Sequence, residues 1–147
     1  MILIQDSREK TGKHNNIENY CKENDITLVR KRLDVGDYTF PCGKISVDIK
    51  GGGLEELAND LYRDKKALNK KYKKCYEQGI QLWVLVEEKI SNLNELANWK
   101  SKHSRIDGRL LIDMIHRLKV SYGVRFKFAN KKDSPQILID ILKGKIT

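Results

Sequence analysis

Two aspartates and a lysine stand close together in the stretch VGDYTFPCGKISVDIK, residues 35–50: Asp37, Asp48 and Lys50. The stretch reads as a β-hairpin. Pro41, Cys42, Gly43 and Lys44 form a four-residue connection, a common hairpin length. With Phe40 opposite Ile45, Tyr38 faces Val47 and Asp37 faces Asp48. Side chains alternate with period two. One face then carries Tyr38, Phe40, Ile45, Val47 and Ile49, the other Asp37, Thr39, Ser46, Asp48 and Lys50. A one-residue slip would turn the apolar set outward, so the pattern sets the register. Directly opposed side chains have Cβ atoms about 4.5–5.5 Å apart, and like charges there repel. A Mg²⁺ or Mn²⁺ ion removes that penalty, because both favour carboxylate, carbonyl and water oxygens. Such a site offers what phosphodiester hydrolysis needs, a polarised phosphoryl oxygen and an activated water. Lys50 would orient that water or neutralise charge developing on the phosphate. The plain alternative is an exposed hairpin with a polar outer face.

Asp6, Arg8 and Glu9 follow the first apolar run, MILI. Strand C-termini of an open α/β sheet are the usual place for a site. Asp6 or Glu9 would add a carboxylate to the metal cluster or orient a water, and Arg8 would bind phosphate or pair with an acid. Gly51, Gly52 and Gly53 come directly after Lys50, but Leu54 and Glu55 follow where a phosphate loop needs Lys-Ser/Thr. The glycines therefore let a backbone or a substrate strand come close, or make a linker turn. Glu55 and Asp60 suit the dipole at the start of the next helix. Arg63, Lys66 and Lys70 on that helix would reach phosphates flanking the scissile bond. Trp83 and Trp99 read as packing residues, and His116 as structural.

The 147 residues, 39% of them apolar, suffice for one domain with a real core. No run reaches transmembrane length, and MILIQDSREK passes straight into charges, so it reads as a strand and not a signal peptide. Three cysteines, Cys21, Cys42 and Cys75, make no Cys-x-x-Cys pair, which fits free thiols in the cytoplasm. His14, His103 and His116 show no zinc-ligand spacing. The net charge is +9, and the excess is C-terminal: residues 100–147 carry twelve Lys+Arg against four Asp+Glu. A second basic cluster, Arg63 to Lys74, holds seven basic residues and one acid. Such clusters suit a polyanion, above all nucleic acid, although a solvated lysine-rich surface has the same composition.

These residues must be positioned by alternating strands and helices. The pattern predicts strands over Ile2–Gln5, Ile26–Leu33, the hairpin, Ile80–Val86 and Val124–Phe128. It predicts helices over Ile17–Glu23, Leu54–Gln78 with Gly79 as its C-terminal cap, Asn92–Trp99 and Arg109–Ser121. The helix at 109–121 turns Leu110, Leu111, Met114, Ile115 and Leu118 inward. Ser134 as N-cap and Pro135 in the first turn open a last helix. Lys100 to Gly108 reads as a basic loop, and IQLWVLV as a central strand buried on both faces. The whole is α/β, a mixed sheet flanked by helices, in one domain over residues 1–147.

Taken in order, Asp6-x-Arg8-Glu9, then Leu33-Asp34-Val35-Gly36-Asp37-Tyr38, then Asp48-Ile49-Lys50 resemble the nuclease domain of the XPF family. That family comprises structure-specific endonucleases of the PD-(D/E)XK, restriction-endonuclease-like superfamily. The later part, from Gly108 to Leu142, is similar to small stand-alone versions of this domain in phages and prophages. The resemblance implies a Mg²⁺- or Mn²⁺-dependent DNA endonuclease acting on branched, flapped or nicked DNA in phage recombination, repair or replication. It implies Asp37, Asp48 and the carbonyl of Ile49 as metal ligands, Lys50 as the catalytic lysine, and Asp6, Arg8 and Glu9 as completing the site. The family usually shows Glu-Arg-Lys followed after three residues by Asp. Here Asp48 replaces the glutamate, Ile49 the arginine, and Leu54 stands at the aspartate position, with Glu55 or Asp60 as substitutes. Family members usually add a tandem helix-hairpin-helix domain, for which this length leaves no room. Homodimerisation through the C-terminal helices is also implied. The rival readings are a non-catalytic DNA-binding or scaffold module on a nuclease fold, and a protein that targets host machinery through its basic surface.

Overall fold

The computed structural model describes residues 1–63 and 65–146. Six strands form one mixed sheet: β1 (Ile2–Asp6), β2 (Thr27–Lys31), β3 (Tyr38–Thr39), β4 (Ile45–Lys50), β5 (Gln81–Glu87) and β6 (Arg125–Ala129). Their spatial order is β2-β1-β3-β4-β5-β6. The short β3 runs antiparallel to both β1 and β4, while β1–β2, β4–β5 and β5–β6 are parallel. The hairpin has the expected register, with Tyr38 opposite Val47 and Thr39 opposite Ser46.

Helices cover both faces. Helices α1 (Asn15–Glu23) and α6 (Ser134–Leu142) lie on one side, where Ile17, Cys21, Leu138 and Ile141 pack against Leu3, Tyr38, Val47, Ile49 and Leu85. On the other side lie α2 (Gly53–Arg63), α3 (Lys65–Glu77), α4 (Leu93–Ala97) and α5 (Gly108–Tyr122). There Leu57, Leu61, Tyr72, Leu96 and Leu111 cover Leu82, Val84 and Val86. β5 therefore feeds both cores alternately, as an interior parallel strand does. Among the described residues no helix is long and apolar enough to cross a membrane.

Several boundaries differ from the sequence expectation. The helix expected over 54–78 corresponds to α2 and α3, with residue 64 outside the described residues. Asp133, not Ser134, is the N-cap of α6, without a side-chain capping bond; Ser134 is the first helical residue, fully buried, with Pro135 beside it in the first turn. Leu110, expected inward, is exposed on α5: its helical phase diverges from that of buried Leu111 and Leu118. His116 is exposed as well, so it carries no core role. Trp83 is core, as expected. Asn92 and Asp107 cap α4 and α5 by accepting from the N–H groups of Glu95 and Leu110.

Candidate active site

The polar face of the hairpin is not a solvated surface. Asp48 is 2% exposed, Ser46 and Thr39 are buried, and the Lys50 side chain is 12% exposed. Helices α2 and α3 close over this face. Lys71 of α3 donates from Nζ to Asp48 Oδ2 at 2.8 Å, and Lys50 Nζ donates to Asp60 Oδ2 of α2 at 2.7 Å. Burial would favour a neutral Lys50 amine, but the charges of Asp48 and Asp60 outweigh it and hold its pKa above the usual lysine range. Lys50 is thus a fixed positive charge and not a proton acceptor. Of the two acids considered as a fourth carboxylate, Asp60 reaches the site. Glu55 instead accepts from Ser101 Oγ and the Lys102 N–H, tying the 100–107 loop to α2.

Asp37 precedes β3 by one residue. Its amide donates to the Val47 carbonyl at 2.9 Å, and its own carbonyl accepts from Asp6 N at 2.8 Å. The carboxylate accepts the Ile49 N–H at 2.8 Å. Burial first, then the Asp48 charge and a hydrogen bond with Glu9, push its pKa up to about 9, against the pull of the Ile49 N–H. Burial alone would raise Glu9 too, but its hydrogen bonds with Asp37 and Lys13 hold it below the usual carboxylate range.

Glu9, Asp37 and His14 converge: one ligand atom from each lies within 4.8 Å of the others. Among the described residues this is the group of three candidate metal-ligating side chains, and Asp48 is outside it. His14 is 2% exposed, and its Nε2, 3.7 Å from Glu9 Oε2, has no hydrogen-bond partner among the described residues. Two adjoining carboxyls and a buried unpaired nitrogen make a donor set that fits a divalent cation. The sequence reading missed His14, whose only signals were its place just before α1 and five residues after Glu9. Ile49, expected as a carbonyl ligand, contributes its N–H to Asp37.

Asp6 and Arg8 bond each other and the backbone at Leu33. Asp6 accepts from Arg8 Nε at 3.0 Å and from the Leu33 N–H at 3.1 Å, while Arg8 also bonds the Leu33 carbonyl. Together they hold Leu33, in the segment that leads into Asp37. The glycines after Lys50 are held as well. Lys131 Nζ donates to the Gly51 carbonyl at 2.9 Å and lies 3.4 Å from Glu87, which also accepts from Asn16. Gly53 has φ +70°, and a Cβ there would meet Glu88 Oε1 at 2.3 Å. The triple glycine thus admits a close backbone approach, to the end of β5. Arg63, Lys66 and Lys70 are exposed on α2 and α3. A groove of about 740 Å³ runs beside Arg63, between α2 and the 101–106 loop, and takes in Gly52, His103 and Arg105.

No protein-family model matches the chain, and no curated protein matches it. Solved structures do. The chain is similar to XPF from Aeropyrum pernix, with a TM-score of 0.73, 17% identity, and 99% of this chain and 65% of that one covered. It is also similar to the complex of that protein with DNA, at a TM-score of 0.72, 17% identity, and 98% and 64% covered. The chain therefore has the fold of these XPF structures and spans somewhat less than two thirds of their length.

Proposed function

We propose that this chain is a metal-dependent DNA endonuclease acting on branched, flapped or nicked DNA, in phage recombination, repair or replication. The observation that carries the proposal is the enclosure of Asp37, Asp48 and Lys50, with Glu9 and His14, around the interior strands β3 and β4. Burying so many ionisable groups together opposes stability, and such clusters belong to functional sites. Glu9, His14 and Asp37, with Asp48 beside them, would hold a Mg²⁺ or Mn²⁺ ion, which supplies a polarised phosphoryl oxygen and an activated water. Lys50, a permanent cation steadied by Asp60, stabilises the negative charge that builds on the phosphate. Arg63, Lys66 and Lys70 grip the flanking backbone, as does the basic C-terminal third. A homodimer through the C-terminal helices belongs to the same proposal; Leu110 and Val120 stand exposed on α5.

One observation favours a rival. Lys71 already neutralises Asp48, as in a module that binds DNA without cutting it. A cleavage panel on single-stranded, duplex, flap and four-way-junction DNA, titrated with Mg²⁺ and Mn²⁺, separates the two. Cleavage is expected, and Lys50→Ala should slow it by about 10²–10³-fold while the circular dichroism spectrum is kept. Binding without cleavage at every metal concentration favours the non-catalytic module. Equal cleavage by Lys50→Ala and the unaltered chain sinks the assignment of Lys50.

A further inference from the structure

We infer that His14 supplies a nitrogen ligand to the cation held by Glu9 and Asp37, and that this nitrogen makes the site prefer Mn²⁺ to Mg²⁺. The inference rests on the metal-dependent reading above and sharpens it.

The ring is fixed before any ion arrives. The His14 carbonyl accepts from the N–H groups of Ile17 and Glu18, both at 3.1 Å, which pins the backbone at the start of α1. The imidazole packs edge-on to Tyr38, with centroids 5.8 Å apart and planes at 61°. Tyr38 is in turn held by Gln5, which donates to its hydroxyl at 2.7 Å. With the ring so placed, Nε2 faces Glu9 at 3.7 Å, too far for a hydrogen bond. A buried polar atom without a partner is uncommon in a folded protein and calls for an explanation. Within the described residues His14 Nε2 and Ser134 Oγ are the two such atoms, and only His14 points into a pair of carboxyls.

The spacing suits an ion. Ligands at about 2.0–2.2 Å from a six-coordinate metal lie about 3–4.4 Å from one another. The three candidate ligand atoms fall within 4.8 Å of each other, so small side-chain adjustments suffice. Lys13 also sits on Glu9 Oε2, at 3.1 Å, but its side chain is 48% exposed and free to swing outward. The donor set decides selectivity. Mg²⁺ takes oxygen ligands and keeps several waters. Imidazole nitrogen suits first-row transition ions, and Mn²⁺ accepts nitrogen while still tolerating carboxylates.

The test uses the full chain stripped with EDTA. Isothermal titration measures Mn²⁺ and Mg²⁺ separately, and pulsed EPR on the Mn²⁺ complex reads nitrogen hyperfine coupling. The unaltered chain should show that coupling and bind Mn²⁺ about tenfold or more tighter than Mg²⁺. His14→Ala should lose both the coupling and the preference, with Mg²⁺ affinity changed less than about threefold. His14→Gln fills the same space and repeats the test if the alanine variant fails to fold. A Mn²⁺ complex of the unaltered chain without nitrogen coupling overturns the inference, as does an unchanged Mn²⁺/Mg²⁺ ratio in His14→Gln. Nitrogen coupling without cleavage of any DNA supports His14 and overturns the nuclease instead. Cleavage without nitrogen coupling does the reverse, and binding of neither ion overturns both.

Discussion

Asp37 shows how much one residue's surroundings decide. An aspartate in the unfolded chain ionises near 3.8, whereas this one is pushed up to about 9 by burial and by the neighbouring Asp48 charge. Between those values the folded carboxyl keeps a proton that the unfolded chain has released. The contribution of Asp37 to the stability of the cation-free protein therefore falls as pH rises from about 4 to about 9, and levels off beyond. Asp37→Asn removes the titration and keeps an oxygen for the Ile49 N–H. In EDTA at pH 8 it should be more stable than the unaltered chain, by on the order of 2 kcal/mol after allowance for partial exposure, and should converge with it near pH 4. Thermal melts across that range check this; parallel curves would mean that Asp37 is ionised without a cation. Asp37, Asp48 and Lys50 were legible in the sequence because a strand's period of two places them mechanically. His14 was not. Its role depends on a loop returning to the hairpin, and no local pattern encodes that.

At the scale of elements, the approach of the 31–37 segment to β4 sets the position of Asp37. Gly36 makes it possible: φ is +79°, and a Cβ would lie 2.1 Å from Ser46 Oγ and 3.3 Å from Val47 N. Ser46 Oγ cannot leave freely, since it donates to the Val35 carbonyl at 2.7 Å. Gly36→Ala should cost about 2–4 kcal/mol in urea unfolding and carry away cleavage with it. Gly43→Ala is the control. Its φ is +66° but nothing lies within 4 Å, so it should cost only about 1 kcal/mol. Equal losses would show that the clash at Gly36 relaxes. Strand β5 and the hairpin were readable from periodicity and composition alone. The cap of α6 and the outward turn of Leu110 were not, because capping and helical phase vary by a residue without changing the apolar pattern.

Over the whole molecule, the net charge of +9 gives DNA binding a long-range, salt-sensitive component. Lys66 and Lys70 stand exposed one turn apart on α3, the helix whose Lys71 touches Asp48. Lys66→Gln with Lys70→Gln should weaken binding to every DNA tested, and reduce the slope of log affinity against log salt by up to about 2. Fluorescence anisotropy over a salt series reads the slope. An unchanged slope would put the phosphate contacts elsewhere, with the C-terminal third the next candidate.

The amino-acid sequence by itself determined the alternation of strands and helices, the hairpin register, and the presence of two acids and a lysine on one face. All of these follow from short-range periodicity, which each segment carries alone. Only the tertiary structure decided which charges meet. Lys71 and Asp60 come from helices packed over the hairpin, and Glu9 and His14 from the stretch between β1 and α1. Asp6 and Arg8, equally promising in the sequence, turn to Leu33. Side chains that carry the same charge along a chain acquire different roles only when packing fixes which partners they face and how far water is removed.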